Sequence, residues 1–367
     1  KAENTIDAKG KQVYPGLILP SSNLGLQEIT GVRGSTDINE IGEFNPSVRS
    51  IAAYKAESVI VNTLRLNGIL LAHTVPGGQL IAGQSSVVQL DAWNYEDAAY
   101  KTDMGMHFYM PSLLSRGGGR GFGGGRGFGG APAGDPIKEA LDKIESVKAI
   151  FREAKAYHQK GADKQINLKL EATKGLFNNT QKLFVHCDQV KQMIVAIDFV
   201  KEFGFDVVVV GASESWQIAD LLKANNIAVI LTQEHSLPTT DDDDVDQPYK
   251  AASVLQKAGV LFCLNDDDPQ NRGRNLMFNA GTAAAYGLGK EGALQAITLN
   301  AAKILGVADK TGTLEVGKDA NIVISEGDIL DMKSSIVTDA FIQGRAVAIT
   351  SKHKQLYERY KHKYEIK

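Results

Sequence analysis

Short apolar runs alternate with longer amphipathic stretches through most of the chain. The run "LFVHCD" precedes the helical pattern "QVKQMIVAIDFVKEFG", and Gly204 is placed to end that helix. The runs "DVVVVGAS", "IAVILTQ" and "VLFCLNDDD" follow, separated by the helical stretches "ESWQIADLLKANN" and "ASVLQKAG". Continuous apolar strands between amphipathic helices predict a parallel sheet covered on both faces. Polar residues close each strand, which favours a TIM-like (β/α)8 barrel over a doubly wound sheet.

The last part of the chain has a different pattern. "GTLEVGKDANIVISEG" and "VTDAFIQGRAVAI" are alternating strands with glycine turns, and they predict a small composite β-sandwich that includes the opening strand. We expect the barrel at 18–307, and the small subdomain with a charged terminal helix at 1–17 and 308–367. The opening residues are strand-like and need partners, so we expect upstream residues, a signal peptide not excluded, and leave the compartment open.

Composition changes this picture little. The 367 residues are 43% hydrophobic and 23% charged, with a formal net charge of -3, which is ordinary for a globular protein. Neither nucleic acid nor a membrane surface is indicated as a partner, and no apolar run reaches the ~18–20 residues of a membrane span. Cys187 and Cys263 lie in apolar runs and are expected to be buried thiols. A small-molecule substrate is expected, and a homo-oligomer is left open.

Two segments interrupt the alternation of strands and helices. "SRGGGRGFGGGRGFGGAPAGDP", at 115–136, is of low complexity and is expected to be a mobile surface loop. Its Arg-Gly repeats are similar to RNA-binding segments, but it has only three arginines, so a flexible insertion is favoured. The acidic run "TTDDDDVDQPY" lacks the glycine and the final glutamate of an EF-hand, which favours a solvated loop over a calcium site.

Several phrases of the chain resemble the amidohydrolase superfamily, in particular its imidazolonepropionase-like branch. The phrases are "GKQVYPGLILPSSNLGL", "VPGGQLIAGQSSVVQL", "FVHCDQ", "VVVVGASESW", "RNLMFNAGTAAAYGL" and "LNAAKILGVADKTGTLEVGKDANIVI". The resemblance implies a TIM-like barrel with a small composite β-sandwich. It also implies hydrolysis of carbon–nitrogen bonds by a metal-bound hydroxide.

Most of the metal ligands that this resemblance implies are replaced. The family pattern PGLID-x-H-x-H-L-G-L carries two histidines, where this chain has Ser21 and Asn23. A later family histidine corresponds to Ser213, whereas His186 is retained. The family aspartate lies among Asp266, Asp267 and Asp268, in a register that stays open. We therefore expect at most one divalent metal ion, weakly bound by His186 and Asp266, and no tightly bound cofactor.

Other residues are candidates by position alone. His73 ends the run "ILLAH" and His235 follows "IAVILTQ", so both are expected near the barrel mouth. Gly77 and Gly78 offer backbone amides to a carboxylate or phosphate, or else form a structural turn. Trp93 either walls the pocket or packs in the core. The remaining histidines, placed in loop or charged helical contexts, carry no functional argument: His107, His158, His353 and His362.

Two functional hypotheses follow. In the first, the protein is an amidohydrolase-like hydrolase of an amide or cyclic amide, with an atypical or degraded metal site. His186 acts there as metal ligand or general base, and Asp266 or Asp267 takes and returns the proton of water. Polar residues that bind or orient substrate and water are Ser21, Asn23, Ser213, His235, His73, Gly77 and Gly78. In the second hypothesis, an inactive metal-free barrel keeps the pocket to bind a small ligand or a partner.

Overall fold

The computed structural model describes residues 5–29, 31–114, 135–160, 165–232, 235–240, 242–266 and 273–366. Their strands form two separate sheets, one of eight strands and one of four. In chain order the strands are β1 Gln12–Pro15, β2 Leu17–Ser22, β3 Ile69–Thr74, β4 Ile81–Gln89, β5 Ala99–Tyr109, β6 Lys182–Cys187, β7 Val207–Gly211, β8 Ala228–Leu231, β9 Phe262–Leu264, β10 Ile322–Ser325, β11 Val337–Ile342 and β12 Arg345–Ala346.

Helices surround the larger sheet and connect its strands. In chain order they are α1 Ser50–Ala53, α2 Val59–Leu66, α3 Tyr95–Ala98, α4 Pro136–Gln159, α5 Leu168–Glu171, α6 Lys174–Phe177, α7 Val190–Phe203, α8 Ala219–Ala224, α9 Gln247–Lys257, α10 Leu276–Ala283, α11 Lys290–Ala296, α12 Leu299–Ile304 and α13 Lys352–Lys363. Among the described helices, none combines the length and apolar character needed to cross a membrane.

Strands β5 to β9 form the parallel part of the barrel. Each neighbouring pair from β5 to β9 is parallel, and α7, α8 and α9 connect β6 to β9 in turn. The predicted end of α7 is confirmed, because Gly204 caps it in the left-handed conformation at φ 75°. The alternation of apolar strands and amphipathic helices therefore predicted this half of the barrel correctly.

The strand β4 departs from the simple alternation. It runs antiparallel to both β3 and β5 within the same eight-stranded sheet. The connection from Thr74 to Ile81 is too short for a parallel crossover, which needs a dozen residues or more. The chain therefore turns back on itself here, and β3, β4 and β5 form an antiparallel meander inside an otherwise parallel barrel.

Side chains inside the barrel come from alternate positions of each strand, as the pleat requires. On β6, Phe184 packs inside, whereas Leu183 and Val185 pack outside against the helices. The apolar side chains of the interior cluster include Ile18, Leu71, Val87, Phe184, Val208, Ile230 and Cys263.

The four-stranded sheet combines both ends of the chain. Its order is β1-β10-β11-β12, and every pair is antiparallel. The hydroxyl of Tyr100 donates to Asp319 at 2.6 Å, and the Arg345 guanidinium donates to the Asp91 carbonyl at 2.9 Å. These bonds attach the small sheet beside the amino ends of the parallel strands. The predicted fold class is confirmed: a TIM-like barrel with a small sheet built from both chain ends.

Candidate active site

A cavity of about 700 Å³ opens at the carboxyl ends of the barrel strands. Its walls come from residues at or just past the ends of β2, β5, β6, β7, β8 and β9. The polar members of the wall include Ser21, Ser22, Asn23, Gln27, Tyr109, Ser112, His186, Asp188, Gln189, Thr232 and Asp266. This is the end at which barrel enzymes carry their reacting groups.

Five of the residues predicted from the sequence line this cavity. They are Ser21, Asn23, Gly77, His186 and Asp266. The Ser21 backbone N–H donates to Asn265 Oδ1 at 3.1 Å, which links the end of β2 to the end of β9. The Asn23 amide donates to Gln27 Oε1 at 3.4 Å, on the exposed side of the cavity. The structure thus brings together residues that are far apart in the sequence.

Asp266 stands two residues past the end of β9 and is buried. Its Oδ2 accepts a hydrogen bond from the backbone N–H of Asn275 at 2.8 Å. Asn275 is the residue before α10, so the start of that helix orients the carboxylate. Asp267 and Asp268 lie outside the described residues.

Ser213 lies next to the cavity, behind Asp188. It is buried, and its hydroxyl donates to the Asp188 carbonyl at 3.4 Å, while its N–H donates to Asp188 Oδ1 at 3.4 Å. Asp188 itself lines the cavity. Sequence reasoning singled out Ser213 and missed Asp188, although "FVHCDQ" places this carboxylate at the carboxyl end of β6, where barrel sites are built.

The position of the Asp188 carboxylate requires a residue without a side chain at the end of β7. Gly211 has a φ of 97°, and a Cβ added to it would lie 2.6 Å from Asp188 Oδ1 and 3.1 Å from the Cys187 carbonyl oxygen. Any side chain at this position would be strained and would displace the carboxylate. Gly211 therefore holds β7 close to the turn that follows β6.

His186 is held on two sides by aromatic and imidazole rings. The Tyr109 ring stacks on it with centroids 4.0 Å apart and planes inclined by 11°. His186 Nε2 lies 2.8 Å from His107 Nδ1. Burial, with a smaller contribution from the nearby His73, lowers the pKa of His186 to about 3. The ring is therefore neutral near pH 7 and fixed in orientation.

Two further histidines lie inside the barrel behind His186. His107 Nε2 is 2.7 Å from Ser85 Oγ, and Ser85 Oγ is 2.6 Å from His73 Nε2. His73 Nδ1 is 2.7 Å from the Pro20 carbonyl oxygen. Burial lowers the pKa of both His73, to about 4, and His107. We call His73, Ser85 and His107 the buried relay.

The buried relay corrects two predictions about histidines. His107 was placed in a loop without function, but it lies within β5, is fully buried and contacts His186. His73 was expected near the barrel mouth, but it is fully buried, with both ring nitrogens bonded inside the barrel. In both cases the side chain points inward from the strand, and the sequence pattern alone does not show which face that is.

Other candidates lie elsewhere or are already engaged. His235 is exposed and bonds Thr282 Oγ1 at 2.7 Å, away from the cavity wall. The Gly77 N–H donates to the Ile38 carbonyl at 2.9 Å, so the amide predicted to bind an anion is used within the protein. A Cβ on Gly78 would lie 2.8 Å from the Ala82 Cβ, which supports the structural-turn alternative. Trp93 is 91% exposed and neither walls the pocket nor packs in the core.

Among the described residues, the donor set of the cavity falls short of a tetrahedral zinc site. His186 has one ring nitrogen engaged with His107, and Asp266 has one oxygen engaged with Asn275. Within the described ranges, no group of three or more His, Cys, Asp or Glu side chains could hold a metal ion. Tetrahedral zinc takes three or four such ligands. Cys187 lines the cavity, but burial raises the pKa of its thiol, so it stays protonated.

The model of the amidohydrolase family matches residues 142–347, more than half of the chain. The chain belongs to the amidohydrolase family. The resemblance seen in the sequence phrases is thereby confirmed, and membership indicates a hydrolase of carbon–nitrogen bonds other than peptide bonds.

Individual relatives agree with this family assignment. An imidazolonepropionase of Symbiobacterium thermophilum is 25% identical over 353 residues, covering 87% of this chain and 76% of that protein. An imidazolonepropionase of Thermoplasma volcanium is 43% identical over 86 residues, which is 23% of this chain and only 21% of that protein. An amidohydrolase structure from Thermotoga maritima covers 95% of this chain and 92% of its own, with 24% identity and a TM-score of 0.77, and supports the fold.

Proposed function

We propose that this amidohydrolase family member hydrolyses an amide or cyclic amide bond in a small substrate, at the cavity that His186 and Asp266 share. The observation that carries the proposal is the presence of these two side chains in one cavity of about 700 Å³. That volume lies within the ~300–1,000 Å³ of small-molecule sites. The name of the imidazolonepropionase relatives supports a cyclic amide as the bond that is cleaved.

The reaction uses one water molecule and returns its proton to the leaving group. Asp266 accepts a proton from water as the oxygen bonds to the carbonyl carbon of the substrate, and the carbon–nitrogen bond then breaks. The same carboxyl gives the proton to the departing nitrogen, so the carboxylate is restored. His186 accepts a hydrogen bond from water or substrate, and Ser21 and Asn23 bind the substrate.

The charge of the cavity bears on which substrates fit. The described part of the cavity wall has two carboxylates, Asp188 and Asp266, and neither lysine nor arginine. A neutral or cationic amide is therefore favoured over one that carries a carboxylate near these residues.

The test is a panel of lactams, imidazolones and linear amides, each in neutral and carboxylated form, with the products identified by mass spectrometry. We expect turnover of at least one neutral cyclic amide, lost in Asp266→Asn and retained in His353→Ala, which alters an exposed residue of α13. Equal turnover in the Asp266→Asn variant would contradict the assigned proton transfer.

A second function, ligand binding without catalysis, is favoured by one observation. The described residues lack a group of three potential metal ligands, whereas a hydrolase of the usual kind for this resemblance would need one. Metal analysis of the purified protein, with turnover measured before and after adding zinc, manganese or cobalt, separates the two. Ligand binding without turnover under all these conditions would support the binding protein.

A further inference from the structure

A continuous line of short hydrogen bonds crosses the barrel from the Pro20 carbonyl to the cavity. It passes through the buried relay and ends on His186, with four contacts of 2.7, 2.6, 2.7 and 2.8 Å. Nitrogen and oxygen atoms approach this closely only when a hydrogen lies between them, so each contact contains one proton. The direction of each bond therefore depends on which atom carries that proton.

The direction of donation is fixed at the Pro20 end of this line of hydrogen bonds. A carbonyl oxygen only accepts, so His73 Nδ1 must carry a hydrogen and donate to Pro20. His73 is fully buried, and burial lowers its pKa to about 4, so the ring is neutral and its Nε2 is unprotonated. Nε2 is then an acceptor, and its partner Ser85 must donate to it.

Ser85 has a single hydroxyl hydrogen, and the distances show where it goes. Its Oγ lies 2.6 Å from His73 Nε2 but 3.3 Å from the Gly105 carbonyl oxygen. The shorter contact takes the hydrogen, because an unprotonated nitrogen at 2.6 Å requires a donor. Ser85 Oγ then accepts from His107, whose Nε2 must carry the hydrogen.

The last two bonds follow in the same way. Neutral His107 with hydrogen on Nε2 has an unprotonated Nδ1, so His186 Nε2 must donate to it at 2.8 Å. Neutral His186 then has an unprotonated Nδ1, the ring nitrogen left for the cavity that His186 lines. The Tyr109 ring stacks on the imidazole with centroids 4.0 Å apart and so opposes its rotation.

We propose that His73, Ser85 and His107 are positioning residues that hold His186 as the Nε2–H tautomer, with the Nδ1 lone pair facing the cavity. A lone pair there can accept a hydrogen bond from water or substrate, whereas an N–H there could only donate. The catalytic consequence rests on the proposed hydrolase function, but the tautomer itself does not.

The direct test is nitrogen-15 and carbon-13 NMR of the protein with labelled histidines, near neutral pH. We expect His73 as the Nδ1–H form and both His107 and His186 as Nε2–H forms, each assigned by its single substitution. His158, whose Nε2 lies 3.0 Å from the Leu170 carbonyl oxygen outside the relay, provides an internal Nε2–H reference. A protonated Nδ1 on His186 in the wild-type protein would overturn the proposal.

The second experiment removes the central hydroxyl group of the buried relay. Ser85→Ala removes the acceptor of His107, so its two tautomers become comparable in energy, and the Nδ1 resonance of His186 should move towards the protonated form. Ser86→Ala is the matched control, because Ser86 is equally buried on the same strand but bonds the Asp103 N–H instead. An unchanged His186 spectrum in folded Ser85→Ala would refute the coupling.

Turnover is the third readout. Once a substrate is known, Ser85→Ala should lower kcat by about 10- to 100-fold, the range known for partners that orient metal-binding histidines, and leave KM nearly unchanged. Ser86→Ala should leave kcat unchanged. If no substrate is found, the proposed function fails while the NMR result still decides the tautomer, so the two failures are distinguishable.

Discussion

Strands β6 to β9 and strands β3 to β5 form two halves of one barrel, and their interior side chains differ in kind. The interior of the parallel half is filled by apolar side chains such as Phe184, Val208 and Ile230. The antiparallel half adds His73, Ser85 and His107 to its own apolar interior residues, among them Leu71 and Val87. The boundary between the halves is Phe184, which stacks on His107 with ring centroids 4.9 Å apart.

The difference shows two ways to fill a barrel. Apolar side chains need only complementary volume, whereas each buried polar atom needs a partner, since an unpaired one costs about 1–3 kcal/mol. In the antiparallel half this requirement is met, because both ring nitrogens of His73 and of His107 are bonded. The apolar half therefore mainly provides stability, and the polar half adds a defined orientation for His186.

The largest expected effect is at the junction of the relay and the cavity. His186→Ala should reduce turnover by about 10²- to 10⁴-fold, the range for loss of a proton-transfer or hydrogen-bonding group. Steady-state kinetics on the substrate found in the panel measures it. His353→Ala serves as the control, because His107→Ala removes a direct partner of His186 and is itself expected to be impaired. Turnover of His186→Ala within twofold of the wild-type protein would remove His186 from the site.

The next effect is on stability in acid. Folding lowers the pKa of His73 from 6.5 to about 4, so the unfolded chain binds the proton first as pH falls. The contribution of His73 to the free energy of unfolding is fully present above pH 6.5. It declines towards pH 4 by about 3 kcal/mol in total. His73→Gln can keep both hydrogen bonds without titrating, so its free energy of unfolding should fall less steeply between pH 6.5 and 5. Urea unfolding at several pH values measures this, and parallel curves would contradict it.

A third effect concerns the space around the relay. A Cβ on Gly105 would lie 2.4 Å from the Phe184 ring and 2.9 Å from Ser85 Oγ. Gly105→Ala should therefore lower the free energy of unfolding by about 1–3 kcal/mol, as overpacking does, and disturb the histidine NMR pattern. The matched control is Gly34→Ala, where an added Cβ meets nothing within 4 Å. Equal stability of the two variants would show that the packing here is adaptable.

The smallest effect is expected in the apolar half. Ile230→Val removes one methylene from a fully buried side chain and should cost about 0.5–1.5 kcal/mol in unfolding free energy. The tautomer of His186 should not change, because Ile230 makes no hydrogen bond to the relay. A change in the His186 spectrum in this variant would mean that the two halves are not independent.

The sequence predicted the parallel half well because each of its strands and helices is specified by a pattern of neighbouring residues. Four apolar runs separated by amphipathic helices define β6 to β9, and each polar strand end marks a position at the cavity. Ser21, Asn23, His186 and Asp266 were singled out by the resemblance to the family, and their chemical roles stay predictions. Asp188 was missed, despite standing at the same kind of strand end.

The polar half could not be predicted in the same way because its contacts depend on tertiary structure. Ser85 meets two histidines only because β4 runs antiparallel between β3 and β5. The segment around His107, "GMHFY", was interpreted as a loop, and its residues alone do not show which partner the imidazole meets. The Gly/Arg-rich segment was predicted to be a mobile loop, and its residues 115–134 lie outside the described residues.

The bond between the Ser21 N–H and Asn265 Oδ1 has a consequence for local opening of the barrel. It joins the first and last strands of the eight-stranded sheet through a side chain, at the rim of the cavity. We expect this side-chain contact to open more often than the backbone ladders between neighbouring strands. The exchange of the Ser21 amide hydrogen with deuterated solvent therefore reports how often the rim opens. A bound ligand that keeps the rim closed would slow this exchange.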